Sequence, residues 1–403
     1  MGSGGPAPMD ALGGASVNLA SGNLFVAADA HGVTSVGGEL SVGLSYNSQL
    51  AAERGLVGSY YQEDNRNWAF DEGELPVLVR VDSLFDLAWN TDQGTLAAPP
   101  GLKADQFMVR WQGYLTAPAT GDYTLGIKSD DGVRVDLDRG SGWENTPWYS
   151  DWTAHPLQDS IQWSAARSFT AGEPVKIRIE FYNYTGPAIL QVYIKDPSDG
   201  VQVLPASWLT PGLDVLPTGW SVSLPGGGNS YTRATPGYQS VVLTDASGQG
   251  HTYLESGEGG YTPPPGEAGT LTGSAALGWT LSDGDGSVYT FNTAGQPTSA
   301  RSALDAARPA AALYTYDTTV TPARVVTVTD PVSERDIHLI YGPSNECPAT
   351  TTPAVWDAAP ANQLCKISYW DGTATRLHYL NGQLAGVEEP GDAITQFGYT
   401  DGL

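Results

Sequence analysis

Positive charge is the scarcest commodity in this chain. Its 403 residues hold 19 Lys and Arg against 44 Asp and Glu, a formal net charge of −25. Such a surface repels phosphate backbones and anionic lipid, so nucleic-acid and acidic-membrane partners are excluded as the main ligands. No run approaches the ~20 apolar residues of a membrane span. Long helical periodicity is missing too, and Gly (49) and Pro (28) are abundant. With 12 Trp and 20 Tyr, this composition favours strands joined by many turns, an all-β fold. The 5 histidines (His31, His155, His251, His338, His378) are scattered, with no metal-ligand spacing. No Gly-x-Ser-x-Gly elbow or phosphate loop occurs. The expectation is a non-enzymatic protein. Only 2 cysteines are present, Cys347 and Cys365. They bracket a Pro/Ala/Thr-rich loop that a disulfide would close, which points to an oxidising, extracellular setting.

What stands out is Ser129-Asp130-Asp131-Gly132-Val133. Two adjacent carboxylates sit in a tight turn between the strand-like runs Tyr123–Ile127 and Val133–Leu137. Neighbouring negative charges repel unless something positive holds them, and Ca²⁺ takes oxygen ligands of this kind. Asp-Gly is also ordinary hairpin chemistry. Asp136 and Asp138 fall on one face of the following strand, where a solvated face is expected. The run Asp283–Gly286 lacks a distal Glu and reads as a turn.

Two textures divide the chain. Residues 15–50 and 219 onward show short strands with Asp-Gly turns; between about 55 and 211 the strands lengthen and aromatics cluster. The hairpins Val241–Leu254, Trp279–Phe291 and Ile367–Leu380 are loosely self-similar. With Tyr314-Thr-Tyr-Asp317, Gly382-Gln-Leu-Ala-Gly386, the opening Val17–Leu24, Leu44–Ser48 and Gly219-Trp220, they resemble the rearrangement-hotspot (RHS), or YD-repeat, family. That resemblance implies a spiralling hairpin sheet. Residues 1–14 are expected to be a disordered or added leader, 15–50 family-associated strands, and 217–403 incomplete repeats. Because Tyr399–Leu403 stops within a strand-turn pattern, the chain reads as part of a larger protein.

The intervening segment, 55–211, carries Gly55–Tyr61, Asp105–Leu115, Gly121–Arg134, Asp151-Trp152, Val175–Tyr182 and Ile189–Tyr193. In this order they resemble the module named after anthrax protective antigen, found in yeast flocculin adhesins and bacterial surface proteins. The resemblance implies an antiparallel β-sandwich inserted into the hairpin sheet. In its sugar-binding branch two aspartates ligate Ca²⁺ across a cis peptide, and an Asn and backbone carbonyls from a later loop complete the site. The matching positions are Asp130, Asp131 and Asn183, with carbonyls from about Tyr184 to Pro187. Trp143, Trp148, Tyr149 and Tyr184 are the candidate sugar-facing rings, since flat aromatics pack on pyranose faces; Trp148 and Tyr149 are expected to be exposed. Trp111 and Tyr123 are expected in the core and Trp152 in a structural role. The implied function is a calcium-dependent, lectin-like adhesion or recognition module on a secreted or cell-surface scaffold, with cell-surface glycans, and the rest of the RHS shell, as partners. The alternative is a structural shell or plug of an RHS toxin-delivery protein, without a glycan ligand.

Overall fold

In the computed structural model the described residues are 9–12, 15–18, 23–28, 30–35, 38–48, 54–64, 66–71, 74–89, 101–223, 231–245, 249–256, 260–284, 286–293, 295–301, 312–317, 319–320, 324–348 and 355–399. Their regular structure is antiparallel strand, apart from one short 3-10 helix, Ala206–Trp208. No helix among them is long and apolar enough to cross a membrane. Expected features at 1–8, 13–14, 19–22, 246–248, 285 and 400–403 lie outside the described residues.

Two sheets face each other between Leu56 and Thr210. One runs, in spatial order, Tyr149–Asp151, Val133–Asp138, Pro174–Asn183, Phe107–Thr116, Leu56–Gln62, Leu78–Asp82, with Leu209–Thr210 also pairing on Phe107–Thr116. The other is built on Gly121–Asp130 and Ala188–Lys195, flanked by four shorter strands. Strand side chains alternate between faces, and Ala188–Lys195 follows this strictly, buried at every second residue. Tyr123, Leu125 and Ile127 from one sheet meet Val109, Trp111, Val135, Ile177, Ile179 and Phe181 from the other in a single core. Trp111 and Tyr123 are buried there, as expected.

The sandwich begins and ends at one place. Strand Gly43–Asn47 pairs antiparallel with Trp220–Ser223, and the Asn47 N–H donates to the Gly219 carbonyl at 2.8 Å. The Gly55 N–H likewise donates to the Leu209 carbonyl at 3.2 Å. Everything between leaves and returns through this neck. Gly43–Asn47 belongs to a five-stranded sheet that begins with Met9–Leu12. Met9–Leu12, expected in a disordered leader, pairs with Ala15–Asn18 instead.

Beyond the neck the chain makes an eight-stranded meander from Tyr231–Gly237 to Pro297–Arg301 and a seven-stranded one from Leu313–Asp317 to Ile394–Gln396. The anticipated hairpins form: Ser240–Asp245 with Gly250–Ser256, Gly278–Ser282 with Val288–Phe291, and Leu364–Tyr369 with Ala374–Leu380. Asp283 closes its hairpin, its N–H donating to the Ser287 carbonyl at 2.8 Å. The seven-stranded meander shares a core with the five-stranded sheet, where Val42, Leu44 and Trp220 meet Ile337, Leu339 and Leu377.

Cys347 and Cys365 are joined by a disulfide. Replacing both by Ser is expected to lower unfolding stability by about 3 kcal/mol through loop entropy, read by denaturant titration. His251 supplies a pH dependence. Its ring contacts Glu267 at 2.6 Å and Asp245 at 3.3 Å. Burial pushes its pKa down, but hydrogen bonds and charge from Asp245 and Glu267 together raise it above the ordinary value. A raised histidine contributes stability that is whole below its unfolded value, ~6.5, and is lost as pH rises through the higher folded value. The wild type should therefore lose melting temperature relative to His251→Gln as pH climbs through neutrality; parallel curves for the two proteins would refute the assignment.

Candidate functional site

Asp130 ends strand Gly121–Asp130 and Asp131 begins the turn into Val133–Asp138. Gly132 is required between them and the next strand, because an added Cβ would strike the Tyr182 ring. The Asp130–Asp131 peptide bond is cis. Asp131 is 5% exposed. Its Oδ1 accepts from the His155 N–H at 3.0 Å and its Oδ2 from the Tyr184 N–H at 2.7 Å. Burial first, and then the neighbouring Asp131 charge, push the Asp130 carboxyl up to about 6. Burial also raises Asp131, against the opposing pull of the backbone N–H groups of Tyr184 and His155.

Asp131 differs from three other buried carboxylates of the sandwich. Asp82 meets Arg80 at 2.8 Å, Asp136 meets Arg178 at 2.7 Å, and Glu180 is held between Arg110 and Arg134. Asp131 and Asp130 meet no arginine or lysine in any ion pair among the described residues, and the cationic group acting on them is the His155 imidazole. A buried carboxylate without a cationic partner is costly.

Asn183 closes the same end. It is the last residue of strand Pro174–Asn183 and is fully buried. Its Nδ2 donates to the Ala104 carbonyl at 3.2 Å, whereas its Oδ1 accepts no hydrogen bond. An orphaned buried acceptor is uncommon and needs an explanation. The residue after it supplies the N–H on Asp131, so the loop 183–187 wraps this carboxylate. The loop also donates the Gly186 N–H to Asp105 at 2.8 Å. Among the described residues no three His, Cys, Asp or Glu side chains gather closely enough to hold a metal on their own. The donors expected from the sequence are instead two carboxylates, one amide oxygen and the carbonyls of the loop. All are hard oxygens, which would suit calcium and would leave room in its 6–8 positions.

The aromatic expectation needs correction. Trp148 is 2% exposed: its ring packs against Phe169 in the sandwich core and its Nε1 donates to the Ala165 carbonyl at 3.1 Å. The cause is pairing. The Trp148 N–H donates to the Val135 carbonyl and Tyr149 lies opposite Val135, so this segment is an added strand and not an open loop. Tyr149 is half-buried and packs against the same core. Trp143 bridges to Asp138, at the far end of strand Val133–Asp138 from the aspartates, roughly 17 Å along it. It lies under the Arg178 guanidinium, 4.5 Å from the ring centroid. Asp136 is neither rim nor solvated face but is paired with Arg178, and Asp138 caps a turn by accepting from Gly140 and Gly142.

Tyr184 does stand at the site, 39% exposed. Beside it is a ring the sequence did not single out. Trp68 stacks on Tyr182 at 4.7 Å and meets Tyr184 edge-on at 5.6 Å; Trp152 packs on Tyr182 at 4.9 Å and donates Nε1–H to the Trp68 carbonyl. His155 and Asp105 were missed as well. Their roles arise from backbone contacts that no local motif announces.

Residues 53–207 match the PA14 domain family. The chain is 26% identical over 163 residues to the anti-sigma-I factor RsgI3 of Acetivibrio thermocellus, an alignment covering 40% of this chain and 22% of the relative's length. Similar solved structures include an anti-sigma factor domain-containing protein (22% identity, 45% of this chain and 53% of that one, TM-score 0.33). Another is the PA14 sugar-binding domain from an RTX adhesin (14% identity, 39% and 98%, TM-score 0.31). A third is the epithelial adhesin 6 A domain of Candida glabrata, solved with Galβ1-3GlcNAc (16%, 39% and 86%, TM-score 0.31).

These findings overturn the RHS or YD-repeat expectation. The relatives are anti-sigma factor proteins, a different protein type, and no RHS or YD-repeat evidence accompanies them. Packing separates the two rings tested by mutation: Trp148→Ala should cost about 3–5 kcal/mol as a core truncation. Tyr184→Ala should stay within about 0.5 kcal/mol. Equal losses in thermal or denaturant unfolding would contradict this placement. Residues 53–207 thus match the PA14 domain family, with Asp130, Asp131 and Asn183 gathered at one end of the sandwich.

Proposed function

We propose that the 53–207 sandwich is a lectin-like recognition module that binds an uncharged glycan through a calcium ion. Asp130 and Asp131 would supply carboxylate oxygens, Asn183 its Oδ1, and the 184–187 turn its carbonyls. Calcium would offset the repulsion between the carboxylates and leave coordination positions for vicinal sugar hydroxyls. Tyr184, with Trp68 behind it, offers an apolar ring beside that position. The observation that carries the reading is the contrast within one sandwich: Asp82, Asp136 and Glu180 have arginines, while buried Asp131 has none and buried Asn183 Oδ1 accepts nothing. The PA14 match and the sugar-binding descriptions of similar PA14 structures support the ligand class.

The setting is extracellular in this reading. The Cys347–Cys365 bridge supports it, since such bonds persist in oxidising compartments. The anti-sigma factor relatives favour a recognition role within a larger regulatory protein over simple adhesion. Glycan capture would then be an input to signalling.

Calorimetry and thermal unfolding test the metal. Millimolar Ca²⁺ is expected to raise the melting temperature, by about 2.7 kcal/mol of stabilisation at a hundredfold excess over Kd. Chelator should reverse the effect, and Asn183→Ala and Asp131→Asn should abolish it. A glycan array with and without calcium tests the second step. Calcium uptake that is unchanged in both variants, or no uptake by the wild type, refutes the metal site. Calcium binding without glycan binding refutes the lectin reading alone.

A further inference from the structure

A second cavity lies at the neck, away from the aspartate pair. It measures about 340 Å³. Thr210–Trp220, the segment returning from the sandwich, forms one wall; Arg233 of the eight-stranded meander and Gln363 and Gln383 of the seven-stranded one form others. A smaller apolar recess of about 40 Å³ adjoins it, sharing Leu213, Asp214 and Arg233 and lined further by Val222, Val325 and Leu339.

Two residues lining this space, Arg233 and Gln363, carry a polar atom with no hydrogen-bond partner. Arg233 is 9% exposed, yet its Nη2 has no hydrogen-bond partner. The guanidinium lies flat against Gly212, where a Cβ would come within 3.0 Å of Nε. Gln363 Oε1 is buried and also unpartnered. Asp214 accepts the Val215 N–H at 2.7 Å. Burial pushes its carboxyl up, and the Arg233 charge draws it back down, so the two ions sense each other. The Arg233 charge reaches Asp214 without a side-chain hydrogen bond between them.

We propose that this neck cavity binds a small zwitterion, an α-amino acid, with its carboxylate on Arg233 and its ammonium on Asp214 and Gln363 Oε1. The charge count selects this class. One guanidinium and one carboxylate sum to zero, which disfavours a phosphate or a free dianion. Two acceptors on one side and one donor group on the other suit a ligand carrying three N–H donors at one end and two acceptor oxygens at the other. A volume near the lower bound of small-molecule sites fits a ligand of this size. The adjoining recess, walled by Val222, Val325 and Leu339, would take a small apolar side chain. Because three parts of the chain line the site, an occupant would also tie the neck together. The proposal stands independently of calcium or glycan binding.

The full chain is screened by thermal unfolding against the standard L-amino acids, with acetate, sulfate and mannitol as controls, and hits are titrated by calorimetry. A subset of amino acids with small apolar side chains should raise the melting temperature, and the controls should not. Arg233→Gln should weaken binding at least tenfold, and Gln363→Ala should weaken it less. Binding of no amino acid to the wild type overturns the proposal. So does equal binding of acetate or mannitol, or undiminished affinity in a folded Arg233→Gln protein.

Discussion

The arrangement of this molecule depends on the neck, where Gly43–Asn47 pairs with Trp220–Ser223. Closing a loop of more than 150 residues is entropically unfavourable, though the cost grows only slowly with length. A few ladder bonds and the burial of Trp220 against Tyr46, Phe397 and Tyr399 can offset it. Once the ends are fixed together, the sandwich folds as a self-contained unit, because its core draws only on residues between Leu56 and Leu209. Rigid attachment then comes from elsewhere. The Tyr238 carbonyl accepts from Tyr61 Oη and Ser59 Oγ, and the Tyr238 hydroxyl donates to the Phe70 carbonyl. The Arg110 guanidinium lies between the Phe70 and Tyr238 rings at 4.0 and 3.6 Å. The hairpin turn of the eight-stranded meander is thereby pinned to the sandwich's outer face.

The same face shows how this chain treats buried charge. With few cations available, the sandwich places arginines beside Asp82, Asp136 and Glu180. Fully buried Glu180 is shared by Arg110 and Arg134, and Trp152 covers Arg134 at 4.4 Å. Such a network is stabilising only when each member is satisfied. Against that pattern the Asp130–Asp131 turn is an exception in kind. Its carboxylates rest on backbone N–H groups, which orient oxygens without neutralising them. Exceptions to local consistency tend to mark functional sites.

Much of this was legible in the sequence. The Asp-Asp-Gly turn lies between alternating strands, as the sequence suggested, and Asn183 lies at the end of a strand whose apolar alternation is plain. Two readings failed for physical reasons. Trp148 sits in a stretch rich in Gly, Asn and Pro that looks like open loop, but a backbone bond to Val135 makes it an edge strand and turns its ring inward. The hairpin self-similarity has a source in turn chemistry. Asp-Gly and Asn-Gly pairs suit positive-φ positions in any antiparallel meander, as Asn381 and Gly382 illustrate. Trp68 could not be found locally at all, because its contacts with Tyr182 and Tyr184 span more than 100 residues of sequence.

The overall charge of −25 invites the idea that the whole protein attracts calcium. Screening argues otherwise. At physiological ionic strength the Debye length is about 8 Å, so carboxylates scattered over the surface scarcely act on the turn. What remains is local: two carboxylates side by side, shielded from water, with a neutral amide oxygen close by. Burial and mutual repulsion already draw Asp130 toward its protonated form, with its pKa near 6. A proton and a divalent cation therefore compete for the same oxygens. The proton would satisfy one carboxylate and leave Asn183 Oδ1 unanswered, whereas the proposed cation would engage all three groups at once. In the proposed site, local donor chemistry, more than net charge, would draw the metal to this end of the sandwich.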